Sequence, residues 1–155
     1  MAPRRYPSPQ ERFRAGVERQ DECLVWTKRK NTDGYGMFMV GGKGVTTHRF
    51  AWEQEYGPIP ADRVLDHTCF NKACADTRHL RLATRSQNGT HLQGARRDNR
   101  SSGVRNVYPN GGGWVVRMQV GGRLHNYGTY PTIAEAEAVA IAKRRENFGD
   151  FAGIE

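Results

Sequence analysis

Short apolar runs separated by turn residues fill the first ninety residues of the chain. The segments CLVWT, GYGMFMV and DRVLDH are rich in apolar, β-branched and aromatic side chains, and this pattern predicts three strands. KNTDG supplies a turn between the first two, and GGKGVTT turns the chain back into a further strand. The N-terminal part is therefore predicted to contain several short strands.

Three other segments of this part predict helices. The first spans residues 8–20, with Ser8 as its N-cap and a proline in its first turn. HRFAWEQEYG predicts a second helix, which Gly57 ends because glycine and the following proline cannot continue it. TRSQNGTHLQ predicts a third helix.

The pattern changes in the last third of the chain. GVRNVY, GWVVRMQV and RLHNYGTY predict three short strands joined by glycine-containing turns. A helix is predicted after Thr132, because Thr132 and Glu135 have capping-box spacing before an alanine-rich run. Small side chains would let this helix lie close to a three-stranded sheet.

The segment between these parts has almost no apolar side chains and predicts a linker. We therefore expect a first domain at residues 1–93, an arginine-rich linker at 94–101 and a second domain at 102–155. Helices and strands occur in both domains, and the predicted fold class is α+β.

Composition narrows the classes of protein. Only 37% of the 155 residues are hydrophobic, which is lean for a chain that must bury a core. Three cysteines, an odd count, without an apolar leader argue against a disulfide framework. No apolar stretch is long enough to cross a membrane, so we expect an intracellular protein without a membrane partner.

Positive charge is concentrated in one stretch. The net charge is +8, and residues 78–105 hold seven arginines against one acid. Guanidinium groups bind phosphate through paired hydrogen bonds, so a nucleic acid is the expected partner. The candidate contacts in this stretch are Arg85, Arg96, Arg97, Arg100 and Arg105.

Three cysteines and a histidine have the composition of a metal site. Cys69, Cys74 and His79 follow one another at intervals of five residues, and Cys23 opens a predicted strand. Four such ligands make a closed zinc site, which can contribute on the order of 10 kcal/mol to folding. The alternative is that the cysteines are small buried hydrophobic residues, as free cysteines often are. The combination with His79 favours zinc.

His67 would be a fifth ligand and does not fit this set. Phosphodiester hydrolysis needs a base with a near-neutral pKa to deprotonate water, and a cation on the leaving oxygen. His67 is a candidate for the base, and Asn88 could hold the cation through its amide oxygen. Taken singly, each residue also has a structural interpretation.

The stretch VLDHTCFNKACADTRHL, followed by Asn88, resembles the His-Cys box homing endonucleases and phage HNH nucleases of the ββα-metal (His-Me finger) class. In that family the pattern is H-x-C-x-N-x-x-C-x-N-P-x-H-L, with an asparagine further on. Upstream segments are similar to the same family, so the resemblance covers about residues 11–92. It implies that His67 activates water, that Asn88 binds a catalytic magnesium ion and that the four predicted ligands hold structural zinc.

Three neighbouring positions follow from this resemblance less directly. Asp66 is a candidate second magnesium ligand, because many HNH nucleases have an aspartate before the histidine. Asp76 replaces a family asparagine, and it can still cap the short helix before His79. Arg49 could neutralise the phosphate or merely cover the sheet, and spacing does not decide between these roles.

Period-two alternation in GWVVRMQV puts Arg117 and Gln119 together on one exposed face, opposite the apolar side chains. Residues 102–152 resemble the plant ethylene-response-factor DNA-binding domain, which is also found appended to phage HNH nucleases. GVR, the central tryptophan, YGTY and FGDF carry this resemblance. The positions that it implies face DNA are Arg105, Arg117, Gln119, Arg123 and Asn126. The alternative is an accessory sheet that only stabilises the protein.

These patterns predict a zinc-containing ββα-metal nuclease domain followed by a three-stranded antiparallel sheet packed on one helix. The expected function is a magnesium-dependent HNH DNA endonuclease, similar to homing endonucleases, with His67 as general base. Its partner would be double-stranded DNA, and the chain would be a monomer or a homodimer. We expect it in the cytoplasm, that of the host cell if a phage encodes it. The alternatives are a non-catalytic zinc-stabilised DNA-binding regulator and an RNA nuclease or RNA binder.

Overall fold

A computed structural model of the chain describes residues 6–95 and 99–154. The chain divides into two compact units, Met1–Arg85 and Ser86–Glu155. Within the described ranges, no helix has the length and apolar character needed to cross a membrane.

The division between the units falls before the predicted linker. Gln93 forms a parallel bridge with Ile154, and Gly94 N–H donates to the Ile154 carbonyl at 2.9 Å. Ile154 N–H in turn donates to the carbonyl of Leu92 at 3.1 Å. These backbone hydrogen bonds tie residues 92–94, which include the first residue of the predicted linker, to the C-terminal end of the chain.

The first unit begins with helix α1 (Pro9–Arg14), which is capped as predicted. Ser8 Oγ accepts a hydrogen bond from Glu11 N–H at 3.1 Å. The Glu11 carboxylate accepts one from Ser8 N–H at 2.7 Å. Each residue satisfies a backbone donor of the other, which makes this a complete capping box.

The prediction of a single helix over 8–20 is wrong in its second half. Val17–Gln20 forms strand β1, which pairs antiparallel with strand β2 (Cys23–Trp26). Gly16 lies on the Trp26 ring, and a Cβ there would be 2.2 Å from a ring carbon. The helix therefore ends where the backbone packs on tryptophan, and pairing with β2 makes a strand of a polar sequence.

Strand β3 (Met37–Val40) pairs with strand β4 (Lys43–Thr46), and not with β2 across the predicted KNTDG turn. Gly41 and Gly42 join them with φ of 54° and 79°, the left-handed values that a two-residue hairpin turn requires. The predicted second helix follows as α2 (Thr47–Tyr56).

Strand β5 (Val64–His67) is also confirmed, but its partner was not predicted. It pairs antiparallel with strand β6 (Leu80–Ala83), and a short 3-10 helix, Thr77–His79, precedes β6. The sequence LRLA is too short for its alternation to predict a strand on its own. Residues 80–83 therefore form a strand because they pair with β5, and not because of their own sequence pattern.

An aromatic cluster packs helices α1 and α2 against the strands of the first unit. The Phe50 ring lies 4.9 Å from Phe38 and 5.3 Å from Phe13, measured between centroids. Trp26 lies 5.4 Å from Phe38 and is 2% exposed. This cluster fixes α2 on the β-hairpins, and α2 carries residues of the candidate site.

Helix α3 (Arg85–Thr90) follows β6, in the region where the sequence predicts a helix. Three antiparallel strands then form one sheet in the order β7-β8-β9, at Val107–Asn110, Gly113–Val120 and Arg123–Tyr130. This confirms the three predicted strands.

Helix α4 (Ile133–Phe148) covers one face of this sheet, and a 3-10 turn, Gly149–Phe151, follows it. Thr132 Oγ1 accepts from Glu135 N–H at 3.2 Å, so the predicted cap is present. The fully buried core between this sheet and α4 consists of Val107, Val116, Met118, Ala136 and Ala140. The alternation in β8 thus predicted correctly that Val116 and Met118 are buried. Val115, which the alternation places on the same side as Arg117, is also buried, and the register shifts between these two residues.

Gly36 allows the close approach of α2 to β2. A Cβ at this position would lie 2.4 Å from Thr47 Oγ1 and 2.8 Å from Trp26 Cβ. We expect Gly36→Ala to lower the free energy of unfolding by about 1–3 kcal/mol, the usual cost of overpacking. Urea denaturation checks this. Gly89→Ala is the matched control, because a Cβ there meets nothing within 4 Å. Equal loss of stability in both variants would contradict the packing explanation.

Candidate functional site

Three sulfurs and one imidazole nitrogen meet in one cluster of the first unit. The ligand atoms of Cys23, Cys69, Cys74 and His79 all lie within 4.8 Å of one another. His79 Nδ1 is 3.6 Å from the Sγ atoms of Cys23 and Cys74. In a tetrahedral zinc site, with bonds of about 2.3 Å to sulfur and 2.0 Å to nitrogen, such atoms are about 3.5 Å apart. The donor set and its spacing therefore fit a metal ion.

The loop 68–79 between β5 and β6 carries three of these ligands and is held against β2 by backbone pairing. Trp26 N–H donates to the Ala73 carbonyl at 2.9 Å, and Ala75 N–H donates to the Leu24 carbonyl at 2.7 Å. This pairing brings Cys69 and Cys74 of the loop beside β2, which begins with Cys23.

Two side chains shape the loop from within. Asn71 Oδ1 accepts from Ala73 N–H at 3.0 Å and closes a turn. Asp76 Oδ1 accepts from Arg78 N–H at 3.1 Å and caps the 3-10 helix that ends with His79. The Arg78 guanidinium also donates to the Asp76 carboxylate and lowers its pKa to about 2. The change from asparagine to aspartate thus keeps the cap.

Burial raises the pKa of the Cys23, Cys69 and Cys74 thiols. A thiolate in such surroundings needs a nearby positive charge, and a coordinated cation supplies one. Metal binding at this cluster would therefore be coupled to loss of the thiol protons.

His67 ends β5 and lies outside the four-ligand cluster. Its Nε2 is 3.1 Å from the Cys74 carbonyl oxygen, which can only accept, so Nε2 carries the proton. The Nδ1 lone pair then remains for another proton, and no described residue forms a hydrogen bond with it. Burial lowers the pKa of His67, which keeps the imidazole uncharged at neutral pH. The ring can therefore act as a base through Nδ1.

The two predicted magnesium ligands lie in different settings. Asp66 is 3% exposed, and Arg81, its cross-strand partner, donates from Nε to Asp66 Oδ2 at 2.8 Å. A magnesium ion would compete with this guanidinium for the carboxylate. Asn88 is half-buried on α3.

Sequence reasoning missed His48, the second residue of α2. Its ring lies 4.9 Å from the His67 ring and 5.1 Å from the Tyr35 ring. Burial is the largest cause that lowers the pKa of His48 to about 3, and the nearby Arg49 guanidinium also disfavours its protonation. THRFAWE predicts only a helix, and no local signal pairs His48 with a residue on a distant strand.

The predicted DNA contacts outside the sheet lie on different segments of the chain. Arg49 is 47% exposed and lies 3.8 Å from Glu53 on the same helix. Arg85 and Arg100 are exposed. Arg96 and Arg97 lie outside the described residues.

The prediction that Arg105 faces DNA is wrong. This residue is 7% exposed, and its guanidinium donates to the carbonyls of Leu92, Ala152 and Thr90. Three carbonyl acceptors satisfy the donors that a phosphate contact would need. Arg105 therefore holds the second unit together from inside.

The outer face of β8 and β9, which points away from α4, carries polar side chains together with the exposed apolar side chain of Leu124. Arg117 pairs in register with Asn126, and Gln119 pairs with Leu124. Gln119 and Asn126 are exposed, and Arg117 is half-buried. Arg123 differs, because it pairs with Val120, whose side chain packs on the core. Since paired residues share a face, Arg123 belongs to the opposite side of the sheet.

Comparison with known proteins points to one class. Residues 45–90 match the family model of the HNH endonucleases, and they include His67, His48 and the loop of the metal cluster.

Two phage proteins are similar to part of the chain. Protein 7.7 of Escherichia phage T7 is 43% identical over 72 residues, which are 46% of this chain and 55% of that protein. The Uncharacterized gene 5.3 protein of Enterobacteria phage T3 is 38% identical over 65 residues, 37% of this chain and 64% of that protein. The chain thus spans between about half and two thirds of the length of these curated relatives. No solved structure matches the chain.

The cluster predicts about one bound metal ion per purified chain. We expect Cys69→Ser to remove one ligand, lose the ion and unfold the first unit, because the ion contributes to folding free energy. Elemental analysis and circular dichroism would measure both effects. All three cysteines belong to the cluster, so the control is wild-type protein stripped with a chelator and reloaded. A Cys69→Ser protein that remains folded without metal would refute this role.

Proposed function

We propose that this chain is a magnesium-dependent DNA endonuclease of the HNH type, with a ββα-metal (His-Me finger) nuclease domain. His67 takes the proton of the attacking water at Nδ1. The observation that carries the proposal is the bond from His67 Nε2–H to the Cys74 carbonyl. It fixes the tautomer and orients the ring, and both residues lie in the segment that matches the HNH endonucleases.

We assign the four-ligand cluster to structural zinc. Thiolate and imidazole ligands are soft and borderline donors, which zinc accepts and magnesium does not. Zinc there would hold loop 68–79 on β2, and the Cys74 carbonyl would hold His67 in turn.

We assign the catalytic magnesium to Asn88, with Asp66 as a second ligand, as the family pattern implies. Both offer oxygen atoms, which magnesium prefers. The ion would supply Lewis-acid stabilisation of the charge on the phosphate and leaving oxygen. Asp66 forms an ion pair with Arg81, so the ion would compete with that guanidinium for the carboxylate.

We propose that the C-terminal sheet, similar to the ethylene-response-factor domain, binds double-stranded DNA through its outer face. Arg117 and Asn126 lie opposite each other there, with Gln119 next along β8. Arginine can pair with guanine edges and amide side chains with adenine edges in the major groove. The exposed arginines Arg49, Arg85 and Arg100, with Arg96 and Arg97 of the linker, would add phosphate contacts.

One observation favours a second candidate, a DNA-binding regulator without hydrolytic activity. The Asp66 carboxylate is already paired with Arg81, so the expected metal ligand has an internal partner. Such a protein would bind DNA and zinc with the same fold and leave a plasmid intact.

Plasmid nicking with magnesium separates these candidates. We expect His67→Ala to bind DNA normally and to nick supercoiled plasmid at least about a hundredfold more slowly, the scale of losing a general base. His125→Ala is the matched control, because that histidine is exposed on β9. If the wild-type protein does not nick the plasmid, the regulator is favoured. If His67→Ala nicks as fast as the wild type, His67 is not the general base. If duplex RNA competes better than DNA, the protein is directed to RNA.

The sheet assignment predicts different effects for two arginines. Arg117→Ala should cost about 1–3 kcal/mol at its preferred site and relax sequence preference, because a base contact is lost. Arg145→Ala, at an exposed position of α4, removes the same charge away from the outer face and should leave sequence preference unchanged. Binding-site selection followed by fluorescence anisotropy would measure both. Unchanged preference in Arg117→Ala would contradict a base-reading role.

A further inference from the structure

The buried imidazole of His48 has an unusual hydrogen-bonding state. The side chain is 7% exposed, and its Nδ1 is buried without a hydrogen-bond partner among the described residues. Buried polar atoms in folded proteins nearly always have a partner, and exceptions are often functional. Nε2 also has no partner there, but it is not enclosed in the same way. The Nε2 edge is therefore the open edge of the ring.

The tautomer follows from the cost of burial. A neutral imidazole carries its proton on one nitrogen and a lone pair on the other. An unpaired N–H in the enclosed position would leave a donor unsatisfied, whereas at the open edge it can reach a partner. We therefore place the proton on Nε2. Burial lowers the pKa of the ring to about 3, so the ring is neutral at neutral pH.

The surroundings of His48 favour an anionic partner. His48 lies in the first turn of α2, whose N-cap residue Thr46 makes no side-chain cap bond. The positive end of a helix dipole attracts anions, and it also disfavours protonation of an imidazole. The His67 ring lies edge to face with it at 4.9 Å. An anion reached by His48 Nε2–H would thus lie close to the base.

We propose that His48 is a further catalytic residue, whose Nε2–H donates a hydrogen bond to a non-bridging oxygen of the phosphodiester that His67 hydrolyses. This inference rests on the proposed nuclease function. A fixed neutral donor beside the base stabilises the charge that develops on phosphate as water attacks. A protonated His48 would place a positive charge next to His67, whereas the neutral ring does not.

Two substitutions separate hydrogen bonding from packing. His48→Phe keeps a ring in the aromatic contact but has no donor. His48→Gln places its amide near the Nε2 position and can still donate. We expect His48→Phe to slow magnesium-dependent plasmid nicking by about 10²–10³-fold, the usual effect of losing one such donor, with unchanged affinity for DNA. His48→Gln should recover at least about a tenth of the wild-type rate. Thermal unfolding and metal content of each variant control for folding.

The outcomes distinguish this inference from the proposed function. Nicking by wild type but not by His67→Ala, with slow nicking by His48→Phe and recovery in His48→Gln, supports both. Equal nicking by His48→Phe and wild type overturns the role of His48 alone. Equally slow nicking by folded His48→Phe and His48→Gln overturns the donor in favour of packing. A wild-type protein that never nicks overturns the nuclease and, with it, His48.

Discussion

The docking of loop 68–79 on strand β2 is the constraint on which the site depends. Two backbone hydrogen bonds, to Ala73 and from Ala75, align the loop with β2. This alignment gathers the four soft ligands and points the Cys74 carbonyl at His67. A zinc ion there would add on the order of 10 kcal/mol, comparable to the whole stability of a small domain. Cys74 thus belongs to the cluster through its sulfur and contacts His67 through its carbonyl oxygen.

The arginine side chains of this chain lie in two different kinds of surroundings. The Arg105 guanidinium is enclosed and satisfied by backbone carbonyls, while Arg117 lies beside amide side chains on an outer sheet face. Arg144 is also buried and donates to the Arg105 carbonyl, and burial lowers its pKa to about 10. A net charge of +8 therefore overstates the positive charge available to a phosphate backbone. The position of each arginine in the fold decides whether its guanidinium is exposed to solvent or satisfied by carbonyls inside the protein.

Local signals predicted the second unit better than the first. Three strands with paired glycines at the turns and a capped alanine-rich helix leave few alternatives, because neighbouring elements pair in chain order. In the first unit, β1 and β6 have polar or very short sequences, and they become strands only through their partners. Helix propensity predicted one helix over residues 8–20, but α1 ends before Gly16, whose backbone packs on the Trp26 ring.

The sequence by itself predicted the four side chains of the cluster and the separation of His67 from them. Spacing within residues 69–79 indicates three of the four, and Cys23 is the remaining cysteine. Alternation, which is also a local property, predicted the packing of Val116 and Met118 in β8. Tertiary structure decided the contacts between residues that are distant in the sequence. It paired Asp66 with Arg81, buried Arg105 and brought His48 edge to face with His67 from another element. Such contacts depend on strand pairing and on how helices pack over the strands, and no pattern within one segment encodes them.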